Sequence, residues 1–341
     1  MDELAAGAMN RGDEVAFTTL VERHRRELRA HCYRMLGSLE DAEDLVQETF
    51  LRAWRSRAGF AGASTVRVWL YRIATNACLD VLAYRRRRAL PYELSRPADP
   101  DVQLPPVAEP VWLQPFPDRL LEPMAPSEQG PDAAVVARET IELTFVATLQ
   151  TLPARQRAVL VLRDVLGWSS AEVASALDTS VPATNSALQR ARATLRTRLG
   201  RNRTDWSRPV ASPAREREVL ARFMAALERA DATAIAELLV ADARGSMPPY
   251  PMWYEGRDTL HTTLARGFDL FGGFKVLATR ANRGPAVALY RRRIDAPTSA
   301  PFEAVGISVL QVEPAGLTEM TSFMDPKLFA HFALPEALPA G

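Results

Sequence analysis

The sequence predicts a multidomain protein in which two all-α domains are followed by an α+β domain. Apolar residues recur at helical spacing across residues 12–88 and again across 134–200, which predicts two helical blocks. Beyond residue 212, two helical patterns give way to β-like runs between Gly and Pro turn signals. A chain of 341 residues is long enough for each of three domains to bury its own core.

The expected domain boundaries follow these changes in composition. A first helical domain is expected over 10–90, an acidic proline-rich linker over 91–135 and a second helical domain over 136–203. A short polar linker over 204–214 then leads to the α+β domain over 215–335.

Charge is nearly balanced over the whole chain but is unevenly distributed along it. Residues 1–90 carry 15 basic and 12 acidic side chains, 91–135 carry 2 and 8, and 136–208 carry 11 and 6. Non-specific DNA affinity comes from neutralised phosphates, so this distribution favours a protein that meets DNA together with a larger partner. Of the 42 basic residues 40 are arginine, a side chain that binds phosphates and guanine edges bidentately.

A strongly acidic helix is predicted over Asp41–Trp54. Its acidic residues share one side of the helix and its apolar residues the other. The acidic side carries Asp41, Asp44 and Glu48, and the apolar side carries Leu45, Val46, Thr49, Phe50 and Ala53. Between Glu40 and Glu48 there are five acids and no base. The acidic side therefore either binds a basic partner or is a solvated helix face.

The next segment combines a loop of small residues, 59–65, with a helix that ends in four arginines, Arg85–Arg88. Trp69 on this helix fits core packing. Arg72 and Asn76 offer a cation and an amide to a polar partner. The arginine tail is a further source of positive charge, or a solvated terminus.

An extended linker is predicted between the two helical domains. Residues 91–135 contain 11 of the 25 prolines and have a net charge of −6. Because proline removes a hydrogen-bond donor and stops helices, we expect a largely polyproline-like conformation. Trp112, Leu113 and Phe116 are unusual in a mere spacer, and this apolar cluster predicts that the linker docks on a surface.

The second helical domain has the signals of a helix-turn-helix. One helix begins next to Pro153 and stops at Gly167. Ser169 or Ser170 caps the next helix, and Glu172 is placed to close a capping box. A helix, a short turn and a second, basic helix are the elements of this DNA-binding motif.

The basic helix begins near Pro182, and the segment Val181–Arg203 has six arginines and no acid. A recognition helix reads base edges with its N-terminal residues and grips phosphates with later cations. We therefore expect the groove floor to be contacted by Pro182, Ala183, Thr184, Asn185 and Ser186, and its flanks by Gln189, Arg190 and Arg192. The alternative is a basic amphipathic helix that packs in a bundle through Ala187, Leu188, Ala191 and Leu195.

The C-terminal domain is predicted to contain helices followed by a meander of strands. One helix uses Val219, Leu220, Phe223, Met224 and Leu227, and another uses Ile235, Leu238 and Leu239. Strands are predicted over Phe274–Thr279, Ala286–Tyr290, Phe302–Val312 and Leu317–Phe323. This order favours a curved sheet wrapped around the helices.

No metal, cofactor or membrane segment is expected. Cys32 and Cys78 are isolated, and the four histidines lack metal-ligand spacing. The first ten residues contain no apolar signal region, and no run approaches about 18 apolar residues. The expectation is a soluble, cytoplasmic protein without a disulfide.

Both helical domains resemble bacterial extracytoplasmic-function (ECF) sigma factors. The acidic helix Asp41–Trp54 and the stretch Trp69–Asn76 resemble region two of that family. The stretches Leu152–Arg157 and Ala171–Ala174 are typical of its region four. The resemblance implies that the two all-α domains are sigma domains: the first is a helical region two and the second is a helix-turn-helix region four. The α+β domain follows them.

The C-terminal domain looks like a SnoaL-like cone, the extension found in the sigma-G-like subfamily. The match is carried by Met247–Tyr250, Trp253–Gly256, Thr279–Ala286 and Phe323–Pro335. With the two helical domains, the resemblance covers nearly the whole chain.

The resemblance implies a promoter-specificity subunit of RNA polymerase that is not itself an enzyme. Its acidic helix would dock on core RNA polymerase, a partner with beta and beta-prime subunits, through Asp41, Asp44, Leu45, Gln47, Glu48 and Phe50. The implied minus-ten contacts, which capture flipped bases of the melted strand, are Phe60, Ser64, Arg72, Asn76, Arg85 and Arg86. The implied minus-thirty-five contacts are Pro182, Thr184, Asn185, Ser186, Gln189, Arg190 and Arg192.

The resemblance also suggests a role for the acidic linker. In this family the segment that joins regions two and four threads the RNA-exit path of the polymerase, whose walls are basic. An acidic, proline-rich strand would mimic a nucleic-acid backbone there until growing RNA displaces it.

Relatives of the cone include polyketide cyclases, which use an acid or base in a cavity. The possible cavity residues are Trp253, Tyr254, His261 and Arg280, with Tyr290 and Glu319, but no His/Asp pair stands out by spacing. We interpret the cone as a ligand-sensing or autoregulatory module with a possible small ligand. Two alternatives stay open: a stand-alone helix-turn-helix regulator, and a SnoaL-like cyclase or hydrolase fused to a regulator.

Overall fold

The computed structural model describes residues 13–60, 65–101, 104–107, 112–121, 141–199 and 211–340. The chain divides into two compact units. The first contains Met1–Arg88 and Leu120–Trp206, and the second contains Ala89–Arg119 and Ser207–Gly341. The first part of the proline-rich segment therefore groups with the C-terminal domain.

Three long helices begin the first unit: α1 (Glu14–Leu36), α2 (Leu39–Ser56) and α3 (Val66–Leu82). The Asp13 carboxylate caps α1 by accepting a hydrogen bond from Ala16 N at 3.0 Å. Gly37 ends this helix with φ 69°, a left-handed conformation that favours glycine. The Ser38 hydroxyl then caps α2 by accepting from Asp41 N at 3.1 Å. The predicted break at Gly37-Ser38 is confirmed.

The helix-turn-helix is also confirmed. The helices are α4 (Leu143–Gln150), α5 (Ala154–Leu160), which continues as a π turn over Val161–Val165, α6 (Ser170–Ala176) and α7 (Val181–Leu199). Gly167 adopts φ 72° after the π turn. Ser169 caps α6, with Glu172 N donating to Ser169 Oγ at 3.2 Å and Ser169 N donating to the Glu172 carboxylate at 2.7 Å. Asp178, at φ 49°, lies in the turn before α7.

A buried arginine joins the two parts of the first unit. The Arg157 guanidinium donates to the carbonyl oxygen of Met35 at the end of α1 and to those of Gln150 and Leu152 at 3.0 and 3.1 Å. Gln150 Nε2 donates to the Arg34 carbonyl at 3.1 Å. The last carbonyls of a helix have no partner within it, so these two side chains satisfy the end of α1. Burial lowers the pKa of Arg157 to about 10.

The second unit is a mixed sheet covered by helices. Its elements are α8 (Pro213–Glu228), α9 (Ala232–Ala236), β1 (Leu239–Ser246), β2 (Trp253–Glu255), α10 (Arg257–Phe268), β3 (Phe271–Ala281), β4 (Gly284–Arg293), β5 (Phe302–Glu313), β6 (Gly316–Phe323), α11 (Leu328–Phe332) and β7 (Ala337–Leu338). The strand order is β2-β1-β6-β5-β4-β3, and β7 pairs with β5. The β1–β6 pair is parallel and the other pairs are antiparallel.

The core of this unit lies between one face of the sheet and helices α8, α9 and α10. Its members include Val219, Phe223, Ile235, Leu260, Val276, Val287, Leu310 and Met320. The predicted α+β arrangement is confirmed, and the four predicted strands lie within β3, β4, β5 and β6. One prediction is wrong: Leu238 and Leu239 do not extend the preceding helix, because α9 ends at Ala236 and Leu239 opens β1. A short apolar run fits a buried strand as well as a helix.

Candidate functional site

Helix α2 presents an outward stripe formed by Asp44, Gln47, Glu48 and Leu51, which lie on one face of the helix. Asp44 and Gln47 are exposed, and the Glu48 carboxylate accepts a hydrogen bond from Arg52 Nε at 2.7 Å. Leu51 is 52% exposed. It is absent from the predicted set, whose apolar members are Leu45 and Phe50. The stripe therefore offers both carboxylates and an apolar side chain to a partner.

Asp41 is engaged within its own domain. Its carboxylate accepts from Arg85 at 2.5 Å and from Arg88 at 2.7 Å. Burial opposes ionisation of Asp41, but these two arginines outweigh it and hold the pKa of the carboxyl below its usual value. Asp41 thus holds the arginine tail against the first turn of α2. Arg86, which lies in sequence between Arg85 and Arg88, is exposed.

Two residues predicted to contact a partner are largely withdrawn from the surface of α2. Phe50 is buried on the core side of the helix, where the Arg25 guanidinium lies 5.1 Å from its ring centroid. Leu45 is half-buried. We correct the predicted set by leaving out Phe50, since a buried side chain cannot meet another protein without unfolding its domain.

Helix α3 carries a polar strip of its own. Arg72 is exposed, Asn76 and Trp69 are half-buried, and the three lie on one side of the helix. Phe60 is buried, and its ring centroid is 5.0 Å from that of Trp69. Phe60 therefore supports Trp69 and does not itself present an open ring to a base, contrary to the sequence prediction. Ser64 lies outside the described residues.

A buried network holds α3 against α1 and turns this strip outward. The Thr75 hydroxyl donates to the Tyr71 carbonyl at 2.7 Å, so His31 Nε2 donates to Thr75 Oγ1 at 2.9 Å. The Glu27 carboxylate accepts from Arg67 Nε at 2.8 Å and from the Tyr71 hydroxyl at 3.1 Å. Burial opposes the ionised form of Glu27, but the hydrogen bond with His24 and the charge and hydrogen bond of Arg67 keep its pKa below the usual value. Sequence periodicity gives no sign of this network because it is made of isolated polar residues on apolar helix faces.

Helix α7 exposes most of the residues predicted to read DNA. Pro182, Asn185, Ser186, Gln189 and Arg190 are exposed. The Asn185 side-chain oxygen accepts from the Ser170 hydroxyl of α6 at 2.7 Å, which fixes the orientation of its amide. The opposite face of α7 packs through Leu188, Ala191 and Leu195, all buried.

Thr184 departs from the prediction. Its side chain is 1% exposed, and its hydroxyl makes no hydrogen bond among the described residues. Thr184 therefore faces the helical core, whereas the next residue, Asn185, is exposed. We correct the predicted set by omitting it from the base-reading residues.

Arg192 is paired with an acid of the same domain. Its guanidinium donates to both carboxylate oxygens of Asp164 in the π turn, at 2.9 and 2.6 Å. The hydrogen bonds to Asp164 raise the pKa of Arg192. Arg192 is thus held in place, and a phosphate would have to share it with Asp164.

The four possible cavity residues of the C-terminal domain do not converge. Tyr254 belongs to the apolar core, where burial raises the pKa of its hydroxyl. Trp253 is buried against the linker, His261 lies on α10 with Nε2 3.2 Å from Thr233 Oγ1, and Arg280 lies near the end of β3. The prediction that they share a cavity is not supported by these positions.

The first part of the linker docks along the edge strand β2. Ala98 N donates to the Trp253 carbonyl at 2.8 Å, and Trp253 Nε1 donates to the Ser95 carbonyl at 3.0 Å. Val107 N donates to the Pro249 carbonyl at 3.0 Å. The bond from Ala98 satisfies a backbone carbonyl that the edge strand β2 would otherwise leave open, and the bond from Val107 holds the linker to the segment before that strand.

The second part of the linker docks on the β3–β4 turn. Phe116 N donates to Asn282 Oδ1 at 2.9 Å, and Asn282 N donates to the Phe116 carbonyl at 2.8 Å. The Asp118 carboxylate accepts from Arg283 N at 2.7 Å and from Arg280 Nε at 3.3 Å. Leu113 and Phe116 are fully buried, which confirms that the apolar cluster of the linker docks on a surface.

The described part of the chain contains neither a membrane-spanning helix nor a cluster of metal ligands. None of its helices combines the length and apolar character needed to span a bilayer. No group of three or more His, Cys, Asp or Glu residues there is arranged to hold a metal ion.

Comparisons with known families agree with the three folded parts. Residues 20–89 match the Sigma-70 region 2 family, 143–195 match Sigma-70 region 4, and 220–320 match the SnoaL-like domain family.

Individual proteins extend this similarity over nearly the whole chain. The ECF RNA polymerase sigma factor SigG of Mycobacterium tuberculosis is 46% identical over 331 residues, which cover 96% of this chain and 85% of that protein. The ECF RNA polymerase sigma factor SigW of Bacillus subtilis is 30% identical over 56% of this chain and 92% of its own length. The crystal structure of the M. tuberculosis ECF sigma factor SigJ superposes with a TM-score of 0.59 at 22% identity, covering 93% of this chain and all of that one, and so supports the fold.

Proposed function

The chain belongs to the ECF RNA polymerase sigma factors, and on that basis we propose which of its surfaces carries each step of promoter recognition. Sigma factors of this family bind core RNA polymerase and promoter DNA and are not enzymes. We assign core polymerase to the outward stripe of α2, the minus-ten element to α3 with the arginine tail, and the minus-thirty-five element to α7.

The observation that carries this assignment is the outward side of α7. Asn185, Gln189 and Arg190 are exposed on the second helix of a helix-turn-helix, with side chains that suit adenine and guanine edges. The α3 strip adds Arg72 and Asn76, a cation and an amide suited to a single strand. A stand-alone regulator would use α7 but would leave the α2 stripe and the α3 strip without a role.

The assignment is tested by giving each surface its own variant. Leu51→Asp should weaken binding of the full chain to core polymerase. Asn76→Ala and Arg190→Ala should leave that binding unchanged and weaken promoter binding by the assembled holoenzyme. Base substitutions in the promoter then distinguish the two DNA surfaces, because each variant should become insensitive to changes in its own element only. If Asn76→Ala and Arg190→Ala lost sensitivity at the same promoter positions, the assignment would be wrong.

We propose that the cone regulates the sigma factor by holding the linker. Docking on the cone and threading through a basic RNA-exit path use the same residues, so the two are mutually exclusive. The docked linker would therefore restrain initiation, and release of the linker from the cone would favour initiation. Support comes from the hydrogen bonds at both docking sites.

We further propose that a small ligand of the cone would be apolar and would compete with the linker. Ala98 packs against the apolar core of the cone, as do the partly buried residues Tyr250, Leu264 and Phe268. A molecule that displaced Ala98 would take over its contact with that apolar core. Binding of Nile red, an uncharged fluorescent probe of apolar sites, should rise when Ala98→Asp weakens this contact. Equal binding by both proteins would contradict the proposal.

A further inference from the structure

Tyr84, just after α3, is the large apolar side chain with the greatest exposure among the described residues, at 93%. Tyrosine rings are ordinarily packed on one face, with the hydroxyl hydrogen-bonded. Within the described part of the chain, the Tyr84 side chain makes no hydrogen bond and no ring contact. Its domain therefore gains no packing from this ring.

The exposure of Tyr84 does not come from a frayed helix end. Tyr84 N and Arg85 N both donate to the Val81 carbonyl, at 3.2 and 3.1 Å. The next residues are fastened by Asp41, which binds Arg85 and Arg88. The backbone on either side of the ring is thus held, so presenting the ring to a ligand has a low entropic cost.

The surroundings of the ring identify the chemistry of that ligand. Tyr84 is followed directly by Arg85–Arg88, so a partner at this position must tolerate strong positive charge. An exposed aromatic ring beside arginines is the combination that binds single-stranded nucleic acid, with bases on the ring and phosphates on the cations. Asn76 lies eight residues earlier, about 12 Å along the chain at 1.5 Å per helical residue, within reach of the same strand.

We propose that Tyr84 stacks on an unpaired base of the melted promoter strand and extends the α3 surface beyond Asn76. Asp41 acts as a positioning residue, because its ion pairs to Arg85 and Arg88 hold the segment that carries the ring. The inference rests on the assignment of α3 to the minus-ten element.

The test compares Tyr84→Ala with Tyr84→Phe in holoenzyme made from core polymerase and the full chain. Loss of one base stack is expected to weaken capture of a single-stranded minus-ten oligonucleotide roughly 5- to 100-fold, whereas Tyr84→Phe keeps the ring and should bind like the wild type. The salt dependence of binding should not change, because no charge is removed. Ile294→Ala, which trims another exposed side chain in the C-terminal domain, serves as the control and should have no effect.

Two outcomes would overturn the inference. One is wild-type capture by Tyr84→Ala while Asn76→Ala is impaired, which would leave the minus-ten assignment standing without Tyr84. The other is weaker binding of Tyr84→Ala to core polymerase itself, which would make the ring a protein contact. If Asn76→Ala also captured the strand normally, the minus-ten assignment itself would fail, so the two failures can be told apart.

Discussion

His31 shows how a single buried residue ties the stability of the region-two domain to pH. The ring is fully buried between α1 and α3, where Nε2 donates to Thr75 and Nδ1 has no hydrogen-bond partner among the described residues. Burial, with help from Arg34 and Arg67 and against the pull of Glu27, lowers the pKa of His31 from 6.5 to about 3. The imidazole is therefore neutral in the folded chain.

We predict that His31→Gln flattens the acid dependence of stability. Between pH 6.5 and about 3 the unfolded chain binds a proton that the folded chain excludes, so wild-type stability falls as the pH drops through this window. The contribution of one such group is at most about 1.4 kcal/mol per pH unit. Denaturant unfolding at pH 7 and pH 5 should show the wild type losing more stability than the variant. Equal losses would contradict the buried neutral histidine.

Arg157 is predicted to be the polar residue whose loss most destabilises the first unit. Arg157→Met leaves the carbonyls of Met35, Gln150 and Leu152 without their donor, and each buried unsatisfied group costs about 1–3 kcal/mol. A loss of at least about 3 kcal/mol in the free energy of unfolding is expected. Arg155→Met, at an exposed arginine of the same helix, is the matched control and should be nearly neutral. Similar losses in both variants would contradict the role of Arg157.

The exposure of the residues proposed to face DNA was predictable only in part. The helical period placed Asn185, Gln189 and Arg190 on the exposed side of α7. It did not exclude Thr184, because a polar residue beside the turn looks the same in sequence whether it faces solvent or the core. Phe60 and Phe50 were predicted to contact a partner, but both are buried. An aromatic residue suits a binding surface as well as a core, and tertiary packing decides between the two.

At the scale of elements, two acids hold arginines of the elements that we propose bind DNA. Asp41 on α2 binds Arg85 and Arg88, and Asp164 in the π turn binds Arg192. Each pairing leaves less positive charge for phosphates when the chain is without DNA. In the proposed assignment, the pairs therefore favour DNA sites that place a phosphate well enough to share the arginine with the acid or to displace the acid from it.

We predict that Asp41→Asn and Asp164→Asn strengthen non-specific DNA binding by the holoenzyme. Freed arginines should add phosphate contacts, and each contact steepens the slope of log affinity against log salt by about 0.9. Asp242→Asn, which alters an exposed acid of the C-terminal domain, controls for the change in net charge and should leave the slope unchanged. Unaltered slopes in Asp41→Asn and Asp164→Asn would show that these arginines do not reach DNA.

The elements themselves were predicted best where local chemistry determines them. Ser169 with Glu172, Gly37 and Gly167 fixed helix ends because caps and left-handed turns depend on neighbouring residues alone. Strands β1 and β2 escaped prediction because β1 contains Arg244 and Gly245 and β2 has only three residues. Their strand conformation comes from pairing with β6 and with each other, which is a non-local effect.

At the scale of the whole molecule, we propose two uses for the linker. Its proline content and charge predict an extended acidic strand suited to the RNA-exit path. In the free chain, residues within 89–119 instead pack on the cone, with Phe116 buried and hydrogen-bonded to Asn282. The apolar cluster indicated a docking surface, but periodicity could not identify the cone as that surface.

We predict that Phe116→Ala releases the linker and raises initiation. Truncating a fully buried phenylalanine costs about 3–5 kcal/mol, enough to open the contact at the β3–β4 turn. Trypsin should then cut faster after Arg119, and transcription per holoenzyme should increase. Leu104→Ala, at an exposed linker residue, is the matched control and should change neither. Faster cleavage with unchanged transcription would contradict regulation through the linker.

Transcription by purified bacterial core polymerase on a panel of promoters tests the central claim most directly. The full chain is compared with Asn76→Ala, Arg190→Ala and a chain ending at Arg208, which lacks the cone. The account predicts initiation at specific promoters with the full chain, weaker initiation with either point variant, and stronger initiation without the cone. Absence of initiation with every form, together with tight binding to duplex DNA without polymerase, would contradict it.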